Sequence, residues 1–389
     1  MRLDVPLMYR YDRFSDWWFD IYRSSDIKEA MWGLEKTGLP LLSWTPGGGY
    51  FPSGDGDDPG IFYFIPGIAK WFGLSQQQAA FVFCNLYILI CLAAGFAGLM
   101  LLARNRAGRV AAVVATLVMA LILYKVRVTY VFAAVPFGVA PLLIYFMREK
   151  KFGPGFALFA LCAGVAAGLA SALRVQSGVP VMIFVLVASA LSRRLTALQK
   201  LGVAGISIMG LLVVMSFFGM LINQRDLFIE KHAPWNARKA EQHVLWHTIH
   251  CGLGYISNDL GFEWRDGAAF ERAEELAPGT KIYSEEYERV LRGDVMNAVR
   301  GHTGFVLKNV FVKFLVVAGF IVLFAGAGLV SFFLCPKQWN LEAAFWIAVA
   351  FSSLYGLLAV PYLRYLTGCV SLLIVYSALG INSLYSRSR

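Results

Sequence analysis

Nine apolar runs of about 15 to 25 residues dominate this chain, and each is a candidate to cross a membrane. They lie at roughly 79–103, 110–124, 128–147, 154–173, 177–192, 201–222, 310–334, 341–359 and 366–384. The stretches 110–147 and 154–192 are each nearly twice as long as one helix needs to cross the hydrocarbon core, and bases interrupt both near the middle. Each is therefore read as two short spans. Of the 389 residues, 58% are hydrophobic and 15% charged, against about 25% charged in an ordinary soluble domain. A single globular core cannot bury that much apolar surface, so lipid has to cover part of it. The expected fold class is an all-α polytopic membrane protein of about nine transmembrane helices.

The charges sort by loop. Arg104, Arg106 and Arg109, then Arg148, Lys150 and Lys151, then Arg193, Arg194 and Lys200, then Lys337, and finally Arg387 and Arg389 all fall on one side of a nine-span arrangement. That side is expected to be cytoplasmic. Ten acids lie between Asp4 and Asp58 and thirteen between Asp226 and Asp294, so both acidic blocks face outward. The net charge of +10 is thereby explained as loop anchoring, and no nucleic-acid partner is expected. The expected organisation is an outward N-terminal region with an interfacial helix (1–78), spans one to six (79–222), an outward helical insert (223–304) and spans seven to nine (305–389). Met1 to Pro6 is too polar to begin a signal peptide. The native gene is therefore expected to encode a further apolar segment upstream of Met1.

Within the polar regions, Asp26 to Glu29 opens a helical pattern that runs to Gly38, and Gly47 to Gly49 and Gly54 to Gly60 read as loops. Ile61 to Phe72 is apolar but too short to span, which places it in the interface. The insert carries all five histidines. Glu285 to Arg300 reads as a helix, and Lys308 and Lys313 are expected at the membrane surface beyond it.

Four constellations carry possible chemistry, each beside a plainer reading. Asp26 is either a carboxylate poised to take a proton from an acceptor hydroxyl or the N-cap of a capping box with Glu29. Asp55, Asp57 and Asp58 either hold a divalent cation through oxygen ligands or form a turn into a helix with Pro59 at its start. Lys125, Arg127, Arg174 and Arg364 sit in short outward turns, where they either bind a lipid phosphate or snorkel to headgroups. His243, His247 and His250 share one helix face, as a zinc site would require, but a polar face packed on the membrane domain is the preferred reading. No metal is assigned. The six cysteines show neither a disulfide framework nor metal spacing. Neither a nucleotide-binding Gly-x-x-x-x-Gly-Lys loop nor a Gly-x-Ser-x-Gly elbow occurs.

Four segments resemble the GT-C superfamily of membrane glycosyltransferases. Ser25-Asp26 with Ala30, Leu34 and Gly38-Leu39-Pro40 is similar to the family's first acidic outer loop and following helix. Asp58-Pro59-Gly60-Ile61-Phe62-Tyr63, with Phe72-Gly73 after it, is similar to its second loop. Gly168-Leu169-Ala170 through Arg174 is similar to its outward helix end, and Tyr362, Arg364 and Tyr365 are similar to the segment before its last span. The family's usual spanning helix before the first acidic loop is not matched here. The resemblance implies an inverting transfer of a sugar from a polyprenyl-phosphate donor to an envelope glycan, lipid or protein acceptor. It also implies an outward-facing site at a bacterial inner membrane. Asp26 would then be the base, with Asp57 and Asp58 as further acidic candidates, and Lys125, Arg127, Arg174 and Arg364 would hold the phosphate among membrane lipids. A transporter or flippase for a lipid-linked glycan, or a truncated inactive relative, are the alternatives.

Overall fold

The computed structural model describes residues 21–53, 58–126, 128–149, 152–236, 245–336 and 339–386. It is an all-α polytopic membrane protein, with eight helices among the described residues long and apolar enough to cross a membrane. Helix α1 (Ile21–Thr37) leads into a small hairpin of β1 (Leu42–Thr45) and β2 (Gly49–Pro52), then α2 (Pro59–Phe72). The helices α3 (Gln76–Leu102), α4 (Arg106–Val126), α5 (Val135–Glu149), α6 (Pro154–Leu173), α7 (Val179–Leu191) and α8 (Ala197–His232) follow, with a 3-10 turn at Val128–Ala134 before α5. Next come the insert helices α9 (Leu245–Leu253), α10 (Asp266–Leu276) and α11 (Glu285–Gly301), and last α12 (Thr303–Leu334), α13 (Trp339–Leu358) and α14 (Thr367–Ser386).

Local sequence sets the starts of these helices. Ser75 and Gln78 cap α3 reciprocally: the Gln78 amide donates to Ser75 Oγ at 3.3 Å and the Ser75 amide to Gln78 Oε1 at 2.9 Å. Thr196 and Gln199 repeat the arrangement at α8. Pro59, Pro154 and Pro180 occupy the first turns of α2, α6 and α7, where no backbone N–H is needed.

Packing follows the rules of a lipid environment. Helix α14 is buried along nearly its whole length and forms the centre, whereas α12 turns Leu307, Phe311, Leu323 and Phe333 outward. Where α6 meets α8, a Cβ on Gly164 would collide with the carbonyl oxygen of Ser207, and Ser207 Oγ donates to Ala160 O at 3.1 Å. Small residues let the two backbones touch, which is how helices associate when lipid removes the hydrophobic drive.

Both long apolar stretches are divided, into α4 and α5 and into α6 and α7. Helix α7 has only 13 residues, about 20 Å, short of the roughly 30 Å hydrocarbon core. It nonetheless carries the chain from one end of the bundle to the other. Arg193 and Arg194, beyond its C-terminus, share a cavity with Arg104, Arg148 and Trp339, so the basic loops gather at one end. Arg174, before its N-terminus, shares another cavity with Arg364.

Two local expectations change, and a third is sharpened. The Gly47–Gly49 segment is the turn of a hairpin in which Thr45 pairs with Gly49 and Leu42 with Pro52; strands of four residues are too short to leave a pattern. Asp26 lies inside α1 rather than at its head, which removes the N-cap reading. Lys313 is not at the surface: it is 2% exposed, and its ammonium donates to Leu357 O at 3.1 Å. The carbonyl becomes available because the last turn of α13 has no further helix to bond.

Helix α2 packs its buried face, Ile61, Phe62, Ile65 and Ala69, on the membrane helices and leaves Trp71 and Phe72 exposed, as suits an element at the interface.

Candidate functional site

At the insert end, a cavity of about 190 Å³ opens between the α6–α7 loop, the 3-10 turn and the α13–α14 connection. Arg174 and Arg364 both line it, as do Tyr130, Tyr355 and Tyr365. Its lining holds no acidic side chain among the described residues, and Val175, Val179, Phe351, Leu354 and Leu358 supply an apolar wall.

The tyrosines position the two arginines. The Arg174 guanidinium lies 4.8 Å from the centre of the Tyr130 ring, and its Nη2 donates to the Tyr130 hydroxyl at 3.1 Å. Arg364 lies 5.8 Å from the same ring and 5.0 Å from that of Tyr365. Tyr130 and Tyr365 stand edge to face at 4.8 Å, and Tyr355 meets Tyr365 at 5.3 Å. An aromatic face orients a guanidinium while leaving its charge intact. Burial pushes the Tyr365 hydroxyl well above its ordinary range, so it stays a neutral donor.

The α6–α7 loop is held tightly. A Cβ on Gly178 would collide with the carbonyl oxygen of Ala167 and stand 2.6 Å from Ser171 Oγ. Gln176, also in the wall, has φ +77°, a left-handed conformation that costs a non-glycine residue about 1–3 kcal/mol. Helix α7 begins at this wall with Val179 and Pro180, and the N-terminal end of a helix carries partial positive charge.

Of the residues singled out in the sequence, Arg174 and Arg364 come together. Lys125 is exposed at the end of α4 and does not line the cavity, and Arg127 lies outside the described residues. Asp55 and Asp57 also lie outside them. Asp58 stands at the head of α2, 1% exposed, and makes no side-chain cap bond. Two residues on, a Cβ on Gly60 would lie 3.1 Å from Ala172 O, so the Asp58 loop is backed by the helix end that presents Arg174. Asp26 is half-buried on α1, whose Ser24 carbonyl accepts from Gln76 Nε2 at 2.5 Å. The aromatic partners Tyr130 and Tyr355 were not recognisable beforehand, because tyrosines near apolar runs are ordinary interface anchors.

The insert rests against the cavity rim. Trp264 meets Tyr365 edge to face at 5.9 Å, Tyr255 meets Tyr362 at 6.2 Å, and a Cβ on Gly252 would collide with Leu358 O. Asn309 Nδ2 donates to Leu253 O at 2.7 Å, fastening α9 to α12.

Within the insert the histidines diverge. His243 lies outside the described residues. His250 pairs with Asp294 at 3.3 Å, and Arg272 reaches the same carboxylate at 3.0 Å. Burial would raise the Asp294 carboxyl, but the His250 and Arg272 contacts outweigh it and hold it at about 2. His247 instead meets Tyr287 Oη through Nδ1 at 2.6 Å and Asp266 Oδ1 through Nε2 at 3.2 Å, with Cys251 Sγ 3.8 Å from Nε2. Burial, helped by Asp266, pushes the Cys251 thiol up to about 12. Cys251 thus has a chemical setting that its isolated place in the sequence does not disclose.

No family model matches the chain, and no curated protein or solved structure is significantly similar to it.

Proposed function

We propose that this protein is a membrane glycosyltransferase that takes a sugar from a polyprenyl-phosphate donor, with the phosphate bound in the two-arginine cavity. The observation that supports this most is the convergence of Arg174 and Arg364 on Tyr130 in a cavity with an apolar wall. A lipid phosphate needs both features: cationic donors for its oxygens and an apolar flank for the first isoprene units. The tyrosine hydroxyls add further hydrogen-bonding groups beside the arginines.

In this reading the acceptor hydroxyl attacks the anomeric carbon from the face opposite the phosphate. The bond between that carbon and the phosphate oxygen breaks, and its electron pair stays on the phosphate. The two arginines stabilise the charge that grows there, which lowers the barrier more than it stabilises the bound donor. A carboxylate takes the hydroxyl proton, with Asp26 the first candidate and Asp58 the second. The acid has to come from outside the cavity lining, because no described lining residue is acidic. The acceptor is an envelope glycan, lipid or protein on the outer face, in a bacterial inner membrane.

The test is a transfer assay on the purified chain in lipid nanodiscs, with a panel of polyprenyl-phosphate sugars. The reading expects release of free polyprenyl phosphate, with inversion at the anomeric carbon, from at least one donor. It is refuted if no donor binds and phosphate affinity is indifferent to Arg174→Ala and Arg364→Ala. A donor that is bound and moved between leaflets without cleavage would show a flippase instead.

A further inference from the structure

We infer that His247, Cys251 and Asp266 form a site for one divalent transition-metal ion, zinc by ligand chemistry, in the insert. This stands apart from the sugar-transfer reading. His247 and Cys251 are one helical turn apart on α9, so their side chains project to the same side. Asp266 is the first residue of α10 and arrives from the other direction. The three ligand atoms lie within 4.8 Å of one another.

Two of the three donor spacings match a coordination shell, and the third, between Cys251 Sγ and the Asp266 carboxylate, is within 4.8 Å. Around a tetrahedral zinc with ordinary bond lengths, the nitrogen–oxygen edge is about 3.4 Å and the nitrogen–sulfur edge about 3.6 Å. Here Nε2 is 3.2 Å from Asp266 Oδ1 and 3.8 Å from Cys251 Sγ. An ordinary packed cysteine and a lone ion pair would not need to bring three different donors to one point. Imidazole, thiolate and a single carboxylate are the set that zinc prefers over magnesium or calcium.

The support around the ligands fits as well. Tyr287 Oη lies 2.6 Å from His247 Nδ1, which fixes the ring with Nε2 aimed at the other two donors. Phe270 stacks on the same ring at 5.5 Å. His247 and Cys251 are buried, whereas the Asp266 side chain is 75% exposed, so the fourth position opens to solvent. On binding, the ion replaces the Cys251 thiol proton, which leaves to solvent.

The site ties together segments that touch the arginine cavity. Cys251 precedes Gly252, which is pressed against Leu358, and Asp266 lies two residues beyond Trp264, which packs on Tyr365. A bound ion would therefore fasten the insert where it meets the cavity rim.

The experiment is Co²⁺ and Zn²⁺ titration of the chelator-stripped full chain in nanodiscs, with metal content measured after desalting. Wild type should retain one equivalent, and Co²⁺ should give thiolate-to-metal charge-transfer absorption. Cys251→Ser should abolish that absorption, Asp266→Asn should weaken binding at least about tenfold, and Tyr287→Phe about 10–100-fold. Cys335→Ser, at the opposite end of the bundle, should change nothing. Because Asp266 is exposed, Asp266→Asn keeps the test valid if Cys251→Ser fails to fold. Failure of wild type to retain metal, or retention unchanged by both Cys251→Ser and Asp266→Asn, overturns the site and leaves a His247–Asp266 pair alone.

Discussion

Arg174 and Arg364 hold their guanidinium groups over one ring, that of Tyr130, at 4.8 and 5.8 Å. One residue ends α6 and the other precedes α14, so the shared ring joins the middle of the bundle to its last span. Each of Arg174→Ala and Arg364→Ala should weaken binding of a short-chain polyprenyl phosphate by about 1.5–3 kcal/mol. The double variant should lose less than the sum, because the two charges share a partner and a ligand. Fluorescence or calorimetric binding in nanodiscs measures all three. Unchanged affinity in both single variants would leave only headgroup snorkelling for these arginines.

The same ring shows where sequence reading ends. Charged residues in short apolar turns are visible because the membrane makes them costly, so Arg174 and Arg364 stand out on their own. Their meeting depends on a tyrosine in a 3-10 turn far from both, and nothing local encodes that. The apolar runs were equally visible, including the division of 110–147 and 154–192, because bilayer thickness sets their length. The Leu42–Pro52 hairpin and the burial of Lys313 were not, since four-residue strands leave no pattern and the burial of a lysine depends on what packs over it. Asp26 looked like a cap because Glu29 follows at capping-box spacing, yet α1 already includes Ile21.

Topology can be checked directly. In a background with the native cysteines replaced, Glu286→Cys should react with an impermeant maleimide added outside intact cells. Arg106→Cys should react only after permeabilisation. Both positions are exposed, so a failure to label would not reflect burial. Equal labelling of both from outside would contradict the alternation that places the basic loops and the insert at opposite ends.

Gly178→Ala tests whether the cavity wall is held by backbone contact. The added methyl would meet the Ala167 carbonyl, which cannot rotate away, so the loop from Arg174 to Ser177 has to move. A loss of about 1–3 kcal/mol in stability is expected, together with weaker phosphate binding. Gly155→Ala, with nothing within 4 Å of the new methyl, should be neutral or slightly stabilising. Thermal unfolding of the two variants side by side provides the comparison. Equal melting temperatures would show that the loop is looser than its contacts indicate.

Asp294 sets an acid limit on the insert. Its carboxyl is held at about 2, below its ordinary 3.8, so the folded state favours the ionised form. A depressed folded value contributes stability that is full above the unfolded value and is lost as pH falls toward the folded one. The window is therefore about pH 5 down to 2. Because the group is partly solvated, the contribution is discounted to about 1–2 kcal/mol. Asp294→Asn should lower stability by that amount at pH 7. The gap between wild type and variant should close as pH falls through the window. A gap that stays constant with pH would mean that Asp294 acts through packing rather than charge.

Asp26 is the residue on which the proposed chemistry is most exposed to test. Its place inside α1 removes helix capping as an explanation, and Asp and Asn have similar helix propensities. Asp26→Asn should therefore leave helix α1 intact. If Asp26 takes the acceptor's proton, the same change should abolish transfer, because an amide cannot accept that proton. Donor binding should persist, since Arg174 and Arg364 are untouched. The informative measurement is single-turnover transfer with donor pre-bound, which separates chemistry from affinity. Full transfer by Asp26→Asn would remove Asp26 from the mechanism. The role would then pass to Asp58, whose buried carboxylate stands at the head of α2 beside the helix end that carries Arg174.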